Sequence, residues 1–159
     1  MSITAVYLIP TPDEDVLAAL GRAIYNYSYL EWGVIWAIAW LREDEAVVGR
    51  LATCDGGTIA GELTQAAEEC GPQDMRSDLI AWAEAFEGCK NLRNDLLHAH
   101  PYTADPRTGD QGLWRVRRGA RRESFSVAVT AGEVHAIAKR FDDVCSEGSP
   151  LRERLRRPG

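Results

Sequence analysis

The stretch KNLRNDLLHAHPY, residues 90–102, places Arg93, Asn94, His98 and His100 within eight positions, directly ahead of Pro101. These residue types suit cleavage of RNA without a metal. An imidazole, which titrates near neutrality, can take a proton from a ribose 2′-hydroxyl or return one to the leaving oxygen. An arginine fork can stabilise the charge on the phosphate oxygens. The alternative is a polar helix terminus, with His98 as a cap and Arg93 in a structural ion pair.

Geometry constrains the catalytic reading. At 100° per residue, Arg93 and His98 stand about 140° apart on one helix, whereas Asn94 and His98, four apart, share a face. Either the last turn distorts before Pro101, or a two-fold dimer brings two copies of the helix end together around one cleft. The second arrangement is expected.

The helix that carries the motif is predicted from about Asp74 to His98, with Met75, Leu79, Trp82, Phe86, Cys89, Arg93 and Leu97 along one stripe. His100 precedes Pro101 and is biased away from helical geometry, so the helix ends inside the motif. A first helix is predicted to about Leu41, with Thr11 as N-cap, Pro12 at its first position and Asp13, Glu14 and Asp15 in its first turn. Leu17, Leu20, Ile24, Ile35 and Ile38 form its apolar stripe, and Glu31 interrupts it seven residues from both Ile24 and Ile38. Two charges that interrupt apolar stripes, Glu31 and Arg93, are an expected ion pair, and a carboxylate that orients the arginine supports catalysis as readily as structure.

Residues 32–41 are apolar all round, which implies burial on several sides; Arg22, Asn26 and Glu31 argue against a membrane span. Trp32, Trp36 and Trp40, four apart, are expected in the core or a dimer interface, and Tyr25 and Tyr29 in the core. A weaker helix broken around CDGG has its firm part at 58–69. A β-hairpin is predicted at about 112–130, turning at Gly119 and Ala120. Thr130 and Glu133 form a capping box that opens a last helix reaching about Cys145, followed by a basic tail, 148–159, read as disordered.

A long first helix with YLEW, a third helix ending in RNDLLH and a four-helix pattern resemble the HEPN superfamily, the higher eukaryotes and prokaryotes nucleotide-binding domain. The likeness covers roughly residues 13–100, with the last helix consistent with it and the hairpin and tail outside it. It implies an up-and-down four-helix bundle that dimerises, metal-independent endoribonuclease activity leaving 2′,3′-cyclic phosphates, and a place in toxin–antitoxin or anti-phage defence. Carried over by motif, Arg93 and His98 are catalytic and Asn94 supports their positioning; Glu31, Asp95, His100 and Tyr102 are expected beside them as supporting residues on their own chemistry and position. Some members of that superfamily cleave nothing and bind a nucleotide or a protein partner, and a purely structural dimer is the remaining alternative.

Charge separates along the chain. Residues 1–111 hold 7 basic and 18 acidic side chains, net −11, and residues 112–159 hold 11 basic and 6 acidic, net +5. Arg115, Arg117, Arg118, Arg121 and Arg122 are candidates to hold an RNA backbone, or to balance the acidic body. His98 and His100 lack further clustered ligands, His135 being distant and the cysteines scattered, so no metal or cofactor is expected. The length fits one domain, 1–147, and the N-terminal residues have no signal-peptide pattern, so a cytoplasmic protein with reduced thiols is expected. RNA, a second copy of the chain, and an antitoxin or regulatory protein are the expected partners.

Overall fold

The computed structural model describes residues 14–105, 107, 110–117, 123–128 and 130–156. Their order is α1 (Glu14–Arg42), α2 (Ala46–Leu51), α3 (Gly56–Cys70), α4 (Arg76–Leu97), β1 (His100–Asp105), β2 (Asp110–Arg117), β3 (Glu123–Ala128) and α5 (Ala131–Arg156). The chain is mainly helical and its helices bundle around one core. Among the described residues no helix is long and apolar enough to cross a membrane. Thr11, Pro12, Gly119 and Ala120 lie outside the described residues.

The expected second helix is two helices, because Asp55 starts a new one. Its carboxylate accepts hydrogen bonds from the backbone N–H groups of Gly57 and Thr58 at 2.8 and 3.0 Å, which caps α3. The same bonds, with one from the Thr58 hydroxyl, hold the Asp55 carboxyl below its usual range. Among the described residues the bundle therefore has five helices rather than four.

The core runs along α1 through Ala19, Ala23, Tyr27, Leu30, Val34 and Ile38, and not through Leu17, which is exposed. Small residues at 19 and 23 permit close approach, and α5 lies along α1 in the same direction. The Asn26 amide donates to the Ala138 carbonyl at 3.0 Å, the Tyr27 ring meets Phe141, and Gly33 lies against Arg152. On α4 the buried line ends at Leu96, and Leu97 is exposed, since a seven-residue repeat drifts round a helix of 3.6 residues per turn.

In place of the two-stranded hairpin expected at 112–130, the backbone between α4 and α5 forms a three-stranded antiparallel sheet in the order β1-β2-β3. The extra strand is β1, where Pro101 keeps His100 extended as soon as α4 has ended. The capping box is present: Thr130 N–H donates to the Glu133 carboxylate at 3.0 Å and Glu133 N–H to the Thr130 hydroxyl at 3.2 Å.

The expected tail is corrected. Helix α5 continues through Gly148 and Pro150 to Arg156. Tertiary contacts outweigh the local helix-breaking residues here. Gly148 gives its space to the Trp82 indole, whose Nε1 donates to the Val144 carbonyl at 2.9 Å, and Leu151 and Leu155 extend the apolar stripe onto the core. A Cβ at Gly148 would overlap that indole. Gly148→Ala is therefore expected to lower stability by about 1–3 kcal/mol, read as a shift of the urea midpoint at constant m-value. An unchanged midpoint would mean that the indole has room to move.

Candidate functional site

Arg93 lies on the buried side of α4, facing α1, with its side chain 22 % exposed. Its guanidinium carbon stands 4.7 Å from the centre of the Tyr27 ring, and Nη2 lies 3.9 Å from Glu31 Oε2. The Tyr27 hydroxyl donates to the same Glu31 oxygen at 2.9 Å. One carboxylate thus ties together a phenol and a guanidinium, and the ion pair expected from the two stripe-interrupting charges forms.

The Tyr27 ring is itself wedged in the core. It stacks on Phe86 with centroids 5.9 Å apart and meets Phe141 edge-on at 5.5 Å. Burial raises the Tyr27 phenol well above its ordinary value; the Arg93 hydrogen bond opposes that and Glu31 adds to it. The start of α3 closes the cluster from another side. A Cβ on Gly56 would come within 2.6 Å of the Tyr27 hydroxyl and 3.4 Å of Arg93 Nη2, so only glycine lets the helix start so close. Lys90, one turn before Arg93, passes the same glycine and pairs with Glu87 at 3.2 Å.

Tyr27→Phe removes one hydrogen bond to a charged acceptor and is expected to cost about 1–2 kcal/mol. It also has a pH signature. Because the folded phenol titrates above the unfolded value of about 10, the stability it confers is full below about pH 10 and falls as pH rises beyond it. Urea midpoints at about pH 8 and about pH 10.5 should differ less in Tyr27→Phe than in the parent. An equal difference in both proteins would remove Tyr27 as the source.

His98 is the C-cap of α4, with φ −102° and ψ 7°, and its backbone N–H donates to the Asn94 carbonyl at 3.0 Å. Its imidazole is exposed and, among the described residues, has no side-chain hydrogen bond or ion pair. His100 is likewise exposed, at the start of β1 and opposite Trp114. Asn94 is half-buried, and Asp95 is buried with its side chain engaged.

Within one chain, then, Glu31 and Arg93 are brought together, while Arg93 faces inward and His98 outward. No hydrogen bond joins them. The side chains of Tyr102, Arg115 and Arg117, and all of Arg118, Arg121 and Arg122, lie outside the described residues; the backbone pairs Tyr102 with Gly112, Arg115 with Phe125 and Arg117 with Glu123. Tyr25 and Tyr29, expected in the core, are exposed because they fall on the far side of α1 from Tyr27.

Tyr27, Lys90 and Gly56 join the site without being among the residues expected there. The signal for Tyr27 was available, since it precedes Glu31 by four residues and so shares its helix face. Among the described residues no group of three His, Cys, Asp or Glu is placed to hold a metal ion. The cysteines are free thiols; Cys89 is buried, and burial pushes its thiol up to about 11. The chain matches none of the protein-family models, curated proteins or solved structures with which it was compared, and the case for function rests on the geometry of its own residues.

Proposed function

We propose that the protein is a metal-independent endoribonuclease of HEPN type, working as a two-fold dimer in a toxin or anti-phage role. One observation carries the reading: an arginine clamped by Glu31 and Tyr27 stands one and a half turns before an exposed histidine with no side-chain partner among the described residues, at the end of the same helix. The clamp fixes the guanidinium fork in advance, which is what stabilising charge on a phosphate requires. The free imidazole is available for proton transfer. Because the two side chains leave α4 in different directions, one chain does not enclose a phosphodiester, and two α4 ends facing across a two-fold axis do. Exposed Leu97 beside His98 offers apolar contact for such a partner.

In this cleft the ribose 2′-oxygen attacks phosphorus as His98 removes its proton. The O2′–P bond forms and the P–O5′ bond breaks. The imidazolium of the partner's His98 gives a proton to the departing 5′-oxygen, leaving a 2′,3′-cyclic phosphate and a 5′-hydroxyl. Arg93 holds the non-bridging oxygens, with Asn94, Asp95, His100 and Tyr102 as supporting residues. The test is incubation of the purified protein with total RNA in EDTA beside His98→Ala, with the mass of both measured in solution. Cleavage that ignores chelation, requires His98 and comes from a dimer supports the proposal; chelator-sensitive cleavage or a fully active monomer overturns it.

The Glu31 contact favours a second reading, in which Arg93 serves only to join α4 to α1 in a module that binds a nucleotide or a protein partner. Under it, Arg93→Ala damages folding, and any RNA cleavage in the purified material is unchanged by His98→Ala.

A further inference from the structure

Opposite Tyr27 and Glu31, the outer face of α1 carries Tyr25, Tyr29, Trp32, Trp36 and Trp40, one aromatic per turn. Trp36 is nine residues from Tyr27, about 180° round the helix. The three indoles form a continuous wall: Trp36 meets Trp32 edge-on at 6.2 Å and lies 5.9 Å from Trp40 with planes tilted by 33°. Tyr29 and Trp32 are 57 % and 46 % exposed. Between this wall and the last turns of α5 lies an open groove of about 270 Å³, lined by Tyr29, Trp32, Trp36, Trp40, Arg152 and Arg156.

The floor of the groove is Gly33. A Cβ there would stand 2.5 Å from Arg152 Nη1, so the guanidinium rests where the helix has no side chain. Among the described residues Arg152 Nε is buried with no hydrogen-bond partner, as are Arg42 Nε and Arg93 Nε, and Arg152 Nη2 meets only the Cys145 sulfur, at 3.8 Å. Arg42, Arg50, Arg93, Arg140 and Arg154 each meet a carboxylate, whereas Arg152 and Arg156, like Arg22 and Arg76, do not among the described residues. A half-buried guanidinium without an anion bears a desolvation cost that an incoming anion relieves.

We propose that this groove binds single-stranded RNA, with bases stacked on the ring wall and phosphates held by Arg152 and Arg156. The inference rests on the ribonuclease reading and adds to it a surface that holds substrate behind α1, away from Arg93 and His98. Stacked flat faces with flanking cations are the general means of gripping unpaired nucleotides. An acidic peptide would satisfy the arginines and leave the ring faces without flat partners.

The experiment titrates a labelled single-stranded RNA of about eight nucleotides onto His98→Ala, which leaves the RNA whole, and follows anisotropy and tryptophan quenching. Trp32→Ala and Arg156→Gln, each added to that background, alter exposed side chains and are expected to weaken binding about tenfold each with unchanged circular dichroism. Binding unchanged in both variants overturns the proposal. So does equal competition by an RNA duplex or by polyglutamate, or a loss of binding that follows a change in oligomeric state. Weaker binding in both variants beside a parent that cuts no RNA keeps the groove and removes the nuclease; intact cutting with unchanged binding does the reverse.

Discussion

Replacing His98 by alanine is expected to slow RNA cleavage by about 10²- to 10⁴-fold, the range that a positioned proton-transfer group supplies. The thermal midpoint should barely move. The imidazole is exposed and makes no side-chain contact among the described residues, and the contact that ends α4 at this position is a backbone hydrogen bond from His98 N–H to the Asn94 carbonyl, which alanine retains. The variant thus separates chemistry from folding unusually cleanly. Loss of activity with an intact melting curve assigns the proton transfer to His98, and full activity in the variant would end the catalytic reading of the motif. His100→Ala supplies the internal contrast, being an exposed histidine only two residues away at the start of β1. If the two substitutions cost the same, the effect belongs to general positive charge at the helix end and not to a positioned imidazole.

How much of this was legible in the sequence depends on whether local or tertiary physics decides. The Thr130–Glu133 box is a local exchange of hydrogen bonds over three residues, and it forms as the residue types dictate. The Glu31–Arg93 pair was legible for a different reason: each charge falls on a stripe otherwise built of apolar side chains, and such charges seek each other. Periodicity puts Tyr27 on the Glu31 face of α1 and does not say what the other helices set against it. The Arg93 guanidinium over the Tyr27 ring and the bare backbone of Gly56 beside both come from distant parts of the chain, and only the assembled bundle brings them together. The same limit explains α5. Gly148 and Pro150 read locally as the end of a helix, yet Trp82 from α4 occupies the glycine's space and holds the helix together past it. On α1 the aromatic wall was visible as a repeat, and its exposure was not, because a helix apolar on every side does not reveal which side the rest of the protein leaves uncovered.

Arg93→Ala should have two separable consequences. If the guanidinium holds the phosphate, cleavage falls by about 10²- to 10³-fold, as when one preorganised donor to a developing charge is removed. Stability should fall as well, by about 1–2 kcal/mol, since the residue gives up its place over the Tyr27 ring and its pairing with Glu31. The ion-pair share is small: the closest approach is 3.9 Å and both side chains are about a quarter exposed, at 22 % and 27 %, so water already screens it. What remains after the substitution is a carboxylate that holds the Tyr27 hydroxyl and has lost its cation. Adding Glu31→Gln removes that stranded charge, so the double variant should regain part of the lost stability while its cleavage rate stays at the Arg93→Ala level. Arg93→Lys then decides between fork and charge. Lysine keeps one positive charge over the ring and lacks the planar pair of donors. A fold largely restored in Arg93→Lys with cleavage still depressed points to bidentate contact with phosphate, whereas a rate that follows the folded fraction through all three variants reduces Arg93 to a bolt between α4 and α1.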